Sequence, residues 1–235
     1  RIVIQDNAKV MLKNVKLAAP TTEVNTIEIN GSATLLLSGT NEINGATQGC
    51  PLTVIRGTLT INGTDNDKLT LTGENSYNAG CLGLREGASL IINGGDIVAD
   101  GSKTQHGSGI GAYWTGWNDP HYGSITINAS GGGNSAGIGS GSQCGGGDII
   151  ITGGNITATG GGNLGGAGIG TGDYGNCGDI TISGTNTVVT ATVVKEGCDK
   201  IGLGYNGRYC GTVTIKAGVT VNNTKYTSDH VGRIE

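Results

Sequence analysis

The side chains best suited to chemistry gather in one stretch of this sequence. Residues 113–122 read Tyr113-Trp114-Thr115-Gly116-Trp117-Asn118-Asp119-Pro120-His121-Tyr122, and they hold both tryptophans and four of the nine Trp and Tyr residues of the chain. Flat aromatic rings stack on the apolar faces of sugar rings, while Asp, Asn, Arg and His complete hydrogen bonds to hydroxyls. Tyr113, Trp114, Trp117, Asp119, His121 and Tyr122 are therefore candidate ligand-binding residues. Later segments add Tyr174, Arg208 and Tyr209, with Asp173 and Tyr205 beside them. The partner this set predicts is a glycan or polysaccharide. The competing reading is that the two tryptophans only cap a loop against the scaffold.

Acid–base chemistry has fewer candidates. A glycoside hydrolase or polysaccharide lyase needs paired carboxylates, or a basic group with an acidic partner, facing one groove. Asp119, His121, Asp148 and Asp179 are the residues that could serve, and Asp148 and Asp179 start strands at equivalent places. The ordinary reading of that pair is solvated strand-start residues, so the expected function is non-catalytic and the enzyme is the alternative. A cation could use Asp173 in Gly170-Thr171-Gly172-Asp173, but the GGxGxD calcium repeat is not matched there. No metal site is expected, and calcium is the one cofactor that the pattern raises.

Six cysteines occupy repeating positions. Cys50 and Cys81 lie in comparable contexts, QGCPLTVIRG and AGCLGLREG, while Cys144, Cys177 and Cys210 recur at an equal spacing. If the repeats stack about 4.8 Å apart, a cysteine above a cysteine falls within the Cα separation a disulfide accepts. The expected bridge is Cys50 to Cys81; if all six pair, Cys144 to Cys177 with Cys198 to Cys210 leaves no distant orphans, whereas the alternative, Cys177 to Cys210, strands Cys144 and Cys198 apart. An even number of stacked cysteines points to an exported protein. CxxC spacing with a partnering His, which a zinc site would need, is missing.

These residues must be positioned by a repeat. Ser108-Gly109-Ile110-Gly111, Ala136-Gly137-Ile138-Gly139, Ala167-Gly168-Ile169-Gly170 and Ile201-Gly202-Leu203-Gly204 mark a unit of about 30 residues. Each copy is followed by Gly-flanked strand patterns, clearest in GDIIITGGNITATGG, GDITISGTNTVVTAT and GTVTIKAGVTVNN. Period-two alternation places Leu59 and Ile61, Leu90 and Ile92, Ile125 and Ile127, Ile149 and Ile151, Ile180 and Ile182, and Val213 and Ile215 inside. No segment keeps helical spacing, and Gly recurs too often for helices. The fold expected is all-β: one single-domain parallel β-helix, a right-handed β-solenoid of about seven coils with three short strands each. Residues 1–48 form less regular opening coils, 49–223 the regular repeats, and 224–235 a C-terminal tail or cap.

Gly-Ile-Gly is read as scaffold, because a dinucleotide loop needs a following helix and a βαβ unit. Outward Thr157 with Thr159 and Thr190 with Thr192 raise ice or flat-surface binding, or a purely structural stalk, as a further alternative. A formal charge of −4 and a pI near 5.3 leave no basic stripe for nucleic acid. No run of about eighteen apolar residues predicts membrane insertion.

The succession GTLTING, AGCLGLREGASLIINGGDIVADG, SAGIGSG, GGDIIITGGNITATGG and GAGIGTG resembles the Gly-rich β-helical modules of large bacterial cell-surface proteins described as carbohydrate-binding-domain-containing. RIVIQDNAKVMLKNVKLAA and TIEINGSATLLLSGTNEING resemble the less glycine-rich coils of such modules. The resemblance implies a β-helix at the cell surface or outside the cell, within a larger multidomain adhesin that captures glycans. The long 113–122 segment and the six cysteines depart from the short-loop pattern of that family.

Overall fold

The computed structural model describes residues 1–19, 24–64, 66–73, 80–85, 87–101, 107–112, 125–127, 130–133, 136–161 and 165–235, with 125–127 and 130–133 described by their backbone. These residues form a parallel β-solenoid. Among them there is no helix, and short strands build three main sheets of eight, nine and nine strands, parallel except for one terminal strand in each nine-stranded sheet. The first sheet stacks Ile2–Gln5, Ile27–Asn30, Leu52–Arg56, Leu82–Leu84, Ile110–Ala112, Ile138–Gly139, Ile169–Gly170 and Ile201–Gly202. Its strand count is in line with the coil count expected from the repeat.

The second sheet runs from Ala8–Lys13 to Val213–Ile215 and the third from Lys16–Ala18 to Thr220–Val221. Both end on an antiparallel strand. His230–Val231 pairs with Val213–Ile215, and Thr224–Lys225 pairs with Thr220–Val221. These two pairings cover the last rung of the second and third sheets, leaving fewer unpaired backbone groups at that edge.

Alternation decides what is inside. On the second sheet Leu59, Leu90, Ile149, Ile180 and Val213 stand in register along one column, and all are buried. Ile61, Ile92, Ile151, Ile182 and Ile215 form the column two residues on and are buried as well. The side chains of Ile125 and Ile127 lie outside the described residues. On the first sheet Ile27, Leu52, Leu82, Ile110, Ile138, Ile169 and Ile201 make a third buried ladder. Each fully buried Leu or Ile contributes about 1.5–3 kcal/mol relative to exposure, so these ladders are the main favourable term.

The same first-sheet strands explain Gly-Ile-Gly. Gly139 and Gly170, one residue past the buried Ile, have φ of +134° and +135°. A Cβ on either would lie 2.0 Å from the carbonyl oxygen of the glycine in the next rung. Only glycine fits there, because the backbone conformation and the rung spacing both exclude a side chain.

The rungs are not equally long. Ile2 pairs with Ile27 and Ile27 with Leu52, whereas Ile138 pairs with Ile169 and Ile169 with Ile201, so each late rung takes more chain than an early one. The uniform unit suggested by the repeat thus grows along the chain. Between the rung that starts at Ile27 and the one that starts at Ile169, most of the growth falls at one corner, between the first and second sheets. That corner spans positions 31–32 in one early rung and positions 171–179 in a late one.

Candidate functional site

The enlarged corner is a stack of three β-turns. The N–H groups of Cys144, Gly175 and Gly207 donate to the carbonyls of Gly141, Gly172 and Gly204, closing turns at 141–144, 172–175 and 204–207. Successive turns are joined by Gln143 N–H to Asp173 O (2.8 Å) and Tyr174 N–H to Tyr205 O (3.4 Å). The third turn position is held by Gln143, Tyr174 and Asn206, with φ of +59°, +53° and +54°. A positive φ there is the type II pattern, which favours Gly or Asn. Asn206 suits it; Gln143 and Tyr174 do not, because a bulky side chain in the left-handed region costs about 1–2 kcal/mol. The conformation is imposed by the rungs above and below.

Three exposed tyrosines lie on or just after these turns. Tyr174, Tyr205 and Tyr209 are 45%, 40% and 61% exposed. The Arg208 guanidinium lies 5.8 Å from the centre of the Tyr174 ring, and Lys195 Nζ is 3.5 Å from that of Tyr205. Both are cation–π distances. Beneath them, buried Asp173 accepts a hydrogen bond through Oδ1 from Asn206 Nδ2 at 3.2 Å. The floor is a hydroxyl ladder: Ser140 Oγ accepts from Gly172 N–H and Thr171 Oγ1 from Gly204 N–H. A short two-stranded sheet, Asn176–Cys177 with Tyr209–Cys210, stiffens the outer wall.

The turns thus place Arg208 beside Tyr174 and Asn206 beside Asp173, whereas the Tyr205 ring lies against Lys195 and Gly197. Tyr113, Trp114, Trp117, Asp119, His121 and Tyr122 lie outside the described residues. In chain order they fall between the strands Ile110–Ala112 and Ile125–Ile127, the same interval between first and second sheets.

Asp148 and Asp179 have a structural task. Oδ1 of Asp148 accepts from Asp179 N–H at 2.9 Å, and Oδ1 of Asp179 accepts from Thr212 N–H at 2.7 Å. Each carboxylate thus ties its rung to the next. The first rungs use the same device elsewhere: Asp6 accepts from Ser32 N–H, Asn14 from Thr40 N–H, and Asn25 from Cys50 N–H. Strand-start position showed Asp148 and Asp179 in the sequence, but their acceptor role depends on a partner a full rung further along the chain.

The cysteine pairing requires correction. All six cysteines are free thiols. Leu52 pairs with Leu82, which sets Cys81 beside Pro51 and leaves Cys50 one residue out of step. Burial pushes the Cys50 thiol up to about 11 and that of Cys81 higher still. Cys144 does not face Cys177, because Asn176 N–H donates to Cys144 O and Gly178 N–H to Gly147 O, placing Cys177 beside residues 145–147. Cys144 instead directs its thiol to Ser142 O. Cys177 pairs in register with Cys210, and their sulfurs are 3.3 Å apart. This also removes the expected bridge from Cys198 to Cys210.

The earliest rungs present a different surface where the chain enters the second sheet: a shallow groove of about 220 Å³ lined by Asn7, Lys9, Ser32, Thr34, Thr58 and Thr60. On the third sheet Thr157 pairs with Thr190 and Thr159 with Thr192, whose hydroxyls are 2.9 Å apart. The rows do not continue as threonine, since Thr159 aligns with Gly132 and Gly132 with Asp100. Among the described residues no group of three or more His, Cys, Asp or Glu side chains is placed to hold a metal ion, and no helix is long and apolar enough to cross a membrane. Comparison with protein-family models, with curated proteins and with solved structures finds no match to this chain.

Proposed function

We propose that this β-solenoid is a non-catalytic glycan-binding module whose ligand edge is the enlarged corner between the first and second sheets. The observation that carries the reading is Tyr174, which is 45% exposed and held at a positive φ that its side chain disfavours. Its ring offers a stacking plane, Arg208 lies beside it, and Tyr205 and Tyr209 are the exposed aromatic residues of the next rung. Exposed aromatic planes with adjacent guanidinium and amide groups suit a sugar ring and its hydroxyls. The 113–122 segment, with Trp114 and Trp117, joins the proposal on sequence grounds, since it falls in the chain between a first-sheet and a second-sheet strand. This reading, with the family resemblance, extends to a bacterial adhesin at the cell surface or outside the cell.

The test is a glycan array that spans neutral and acidic polysaccharides. A hit is expected, and it disappears in Tyr174→Gly/Arg208→Ala and in Trp114→Ala/Trp117→Ala. Tyr174→Gly alone keeps or slightly raises thermal stability, because glycine relieves the left-handed turn. Absence of any hit, or a hit indifferent to both double variants, overturns the proposal.

A further inference from the structure

The stacked corner also holds a chemical pair independent of any glycan. Cys177 and Cys210 are in-register neighbours on adjacent parallel strands, where Cα atoms lie about 4.8 Å apart, within the 4.4–6.8 Å range a disulfide spans. Their sulfurs are 3.3 Å apart, and Cys177 Sγ donates to Cys210 Sγ. We propose that Cys177 and Cys210 are a redox-sensitive dithiol, a modification site at which a low-molecular-weight disulfide closes one bridge between neighbouring rungs.

The two thiols are unequal. Cys177 is only 2% exposed, whereas Cys210 is partly open to solvent. The hydrogen bond from Cys177 holds Cys210 below the usual thiol range and holds Cys177 above it. Arg233 also favours the Cys210 thiolate, whereas burial, Asp199 and Asp179 oppose it. Cys210 is therefore the sulfur that reacts first, since the thiolate is the nucleophile.

With oxidised glutathione the step balances. Cys210 thiolate attacks one sulfur of the oxidant, giving a mixed disulfide and one glutathione thiolate. That thiolate takes the proton of Cys177, whose sulfur then displaces the second glutathione from Cys210 as a thiolate, and this takes up the proton that Cys210 released on ionising. Two protein thiols and one glutathione disulfide become one protein disulfide and two glutathione thiols. The bridge fastens the strand after Tyr174 to the strand that carries Tyr209. Cys50, Cys81 and Cys144 are sealed in the interior and stay out of the exchange.

The test uses the intact chain equilibrated over a series of glutathione redox poises, then alkylated, unfolded and mapped by peptide mass spectrometry. The free-thiol count is expected to fall by two, with the bridge located between Cys177 and Cys210. The apparent Tm is expected to rise by roughly 5 °C or more on oxidation, and Cys177→Ser and Cys210→Ser abolish that rise while Cys198→Ser keeps it. A thiol count that stays unchanged at every poise, a bridge between another pair, or a Tm rise that survives both serine variants overturns the proposal.

Discussion

The rungs before residue 73 and those after residue 136 share a core but not a corner. In the early rungs the first-sheet strand runs for four or five residues, as in Ile27–Asn30 and Leu52–Arg56, before the chain turns into the second sheet. In the late rungs the strand stops after two residues, as in Ile138–Gly139 and Ile169–Gly170. One column of positions marks the change: it carries Val3, Glu28 and Thr53 early and Gly139, Gly170 and Gly202 late. At Gly139, Gly170 and Gly202, where φ is positive, the strand ends and the chain passes into the stacked turns. The difference teaches that the aliphatic ladders fix the solenoid, while one glycine per rung decides whether the corner is a tight bend or a platform.

The sharpest way to break this contrast is to block the late exit. Gly170→Ala places a Cβ 2.0 Å from the Gly202 carbonyl oxygen at φ +135°, and it is expected to cost about 4 kcal/mol or more by chemical denaturation. Gly87→Ala, at φ +70° with nothing within 4 Å of the added carbon, is expected to cost about 1 kcal/mol. Equal costs would show that rung-to-rung contact is not what requires glycine. The shared core predicts the opposite pattern for Leu59→Ala and Ile180→Ala, both fully buried in one column. Each should lose about 2–5 kcal/mol, with similar values in early and late rungs, and a large disparity would separate the two regions energetically.

The smallest effect concerns the polar clasps of the early rungs. The Thr64 backbone N–H, then the Thr64 hydroxyl and the Gly39 N–H, hold the Asp67 carboxyl below the usual aspartate range. Its folded pKa lies below its unfolded one, so its contribution is present above the unfolded value and is lost as pH falls through the folded value. Wild type should therefore lose stability on acidification from about pH 4 downward. Asp67→Asn should show a shallower loss between pH 7 and pH 3 in urea titrations, and an unchanged slope would assign the acid sensitivity elsewhere.

Much of the scaffold was legible because a strand writes its burial into alternate residues. Ile180 and Ile182, Leu59 and Ile61, and the isoleucine of Gly-Ile-Gly could be placed inside without knowledge of any partner. The cysteines were not legible in the same way. A one-residue offset at Pro51 and unequal loop spacing around Cys144 undo columns that looked aligned by counting. The enlarged corner was legible only in part: the sequence singles out Tyr174, Arg208 and Tyr209, and their side chains are exposed. The left-handed Gln143 was missed, since a conformation imposed by neighbouring rungs leaves no mark on its own residue type. The Gly-x-x-Gly spacing of 172–175 and 204–207 was the available signal.

The enlarged corner has a consequence for how such a chain can change over generations. Within a strand, adding one residue reverses every side chain beyond it, so only even changes would survive there. A turn between sheets has no such parity, and this corner already takes both an even and an odd step, from Ile27 to Ala33 and from Leu52 to Leu59, while the ladders keep their facing. Insertions of a single codon are as admissible there as far longer ones. The corner works as an exchangeable cartridge on a fixed frame, where new recognition can be tried without refolding the body that displays it.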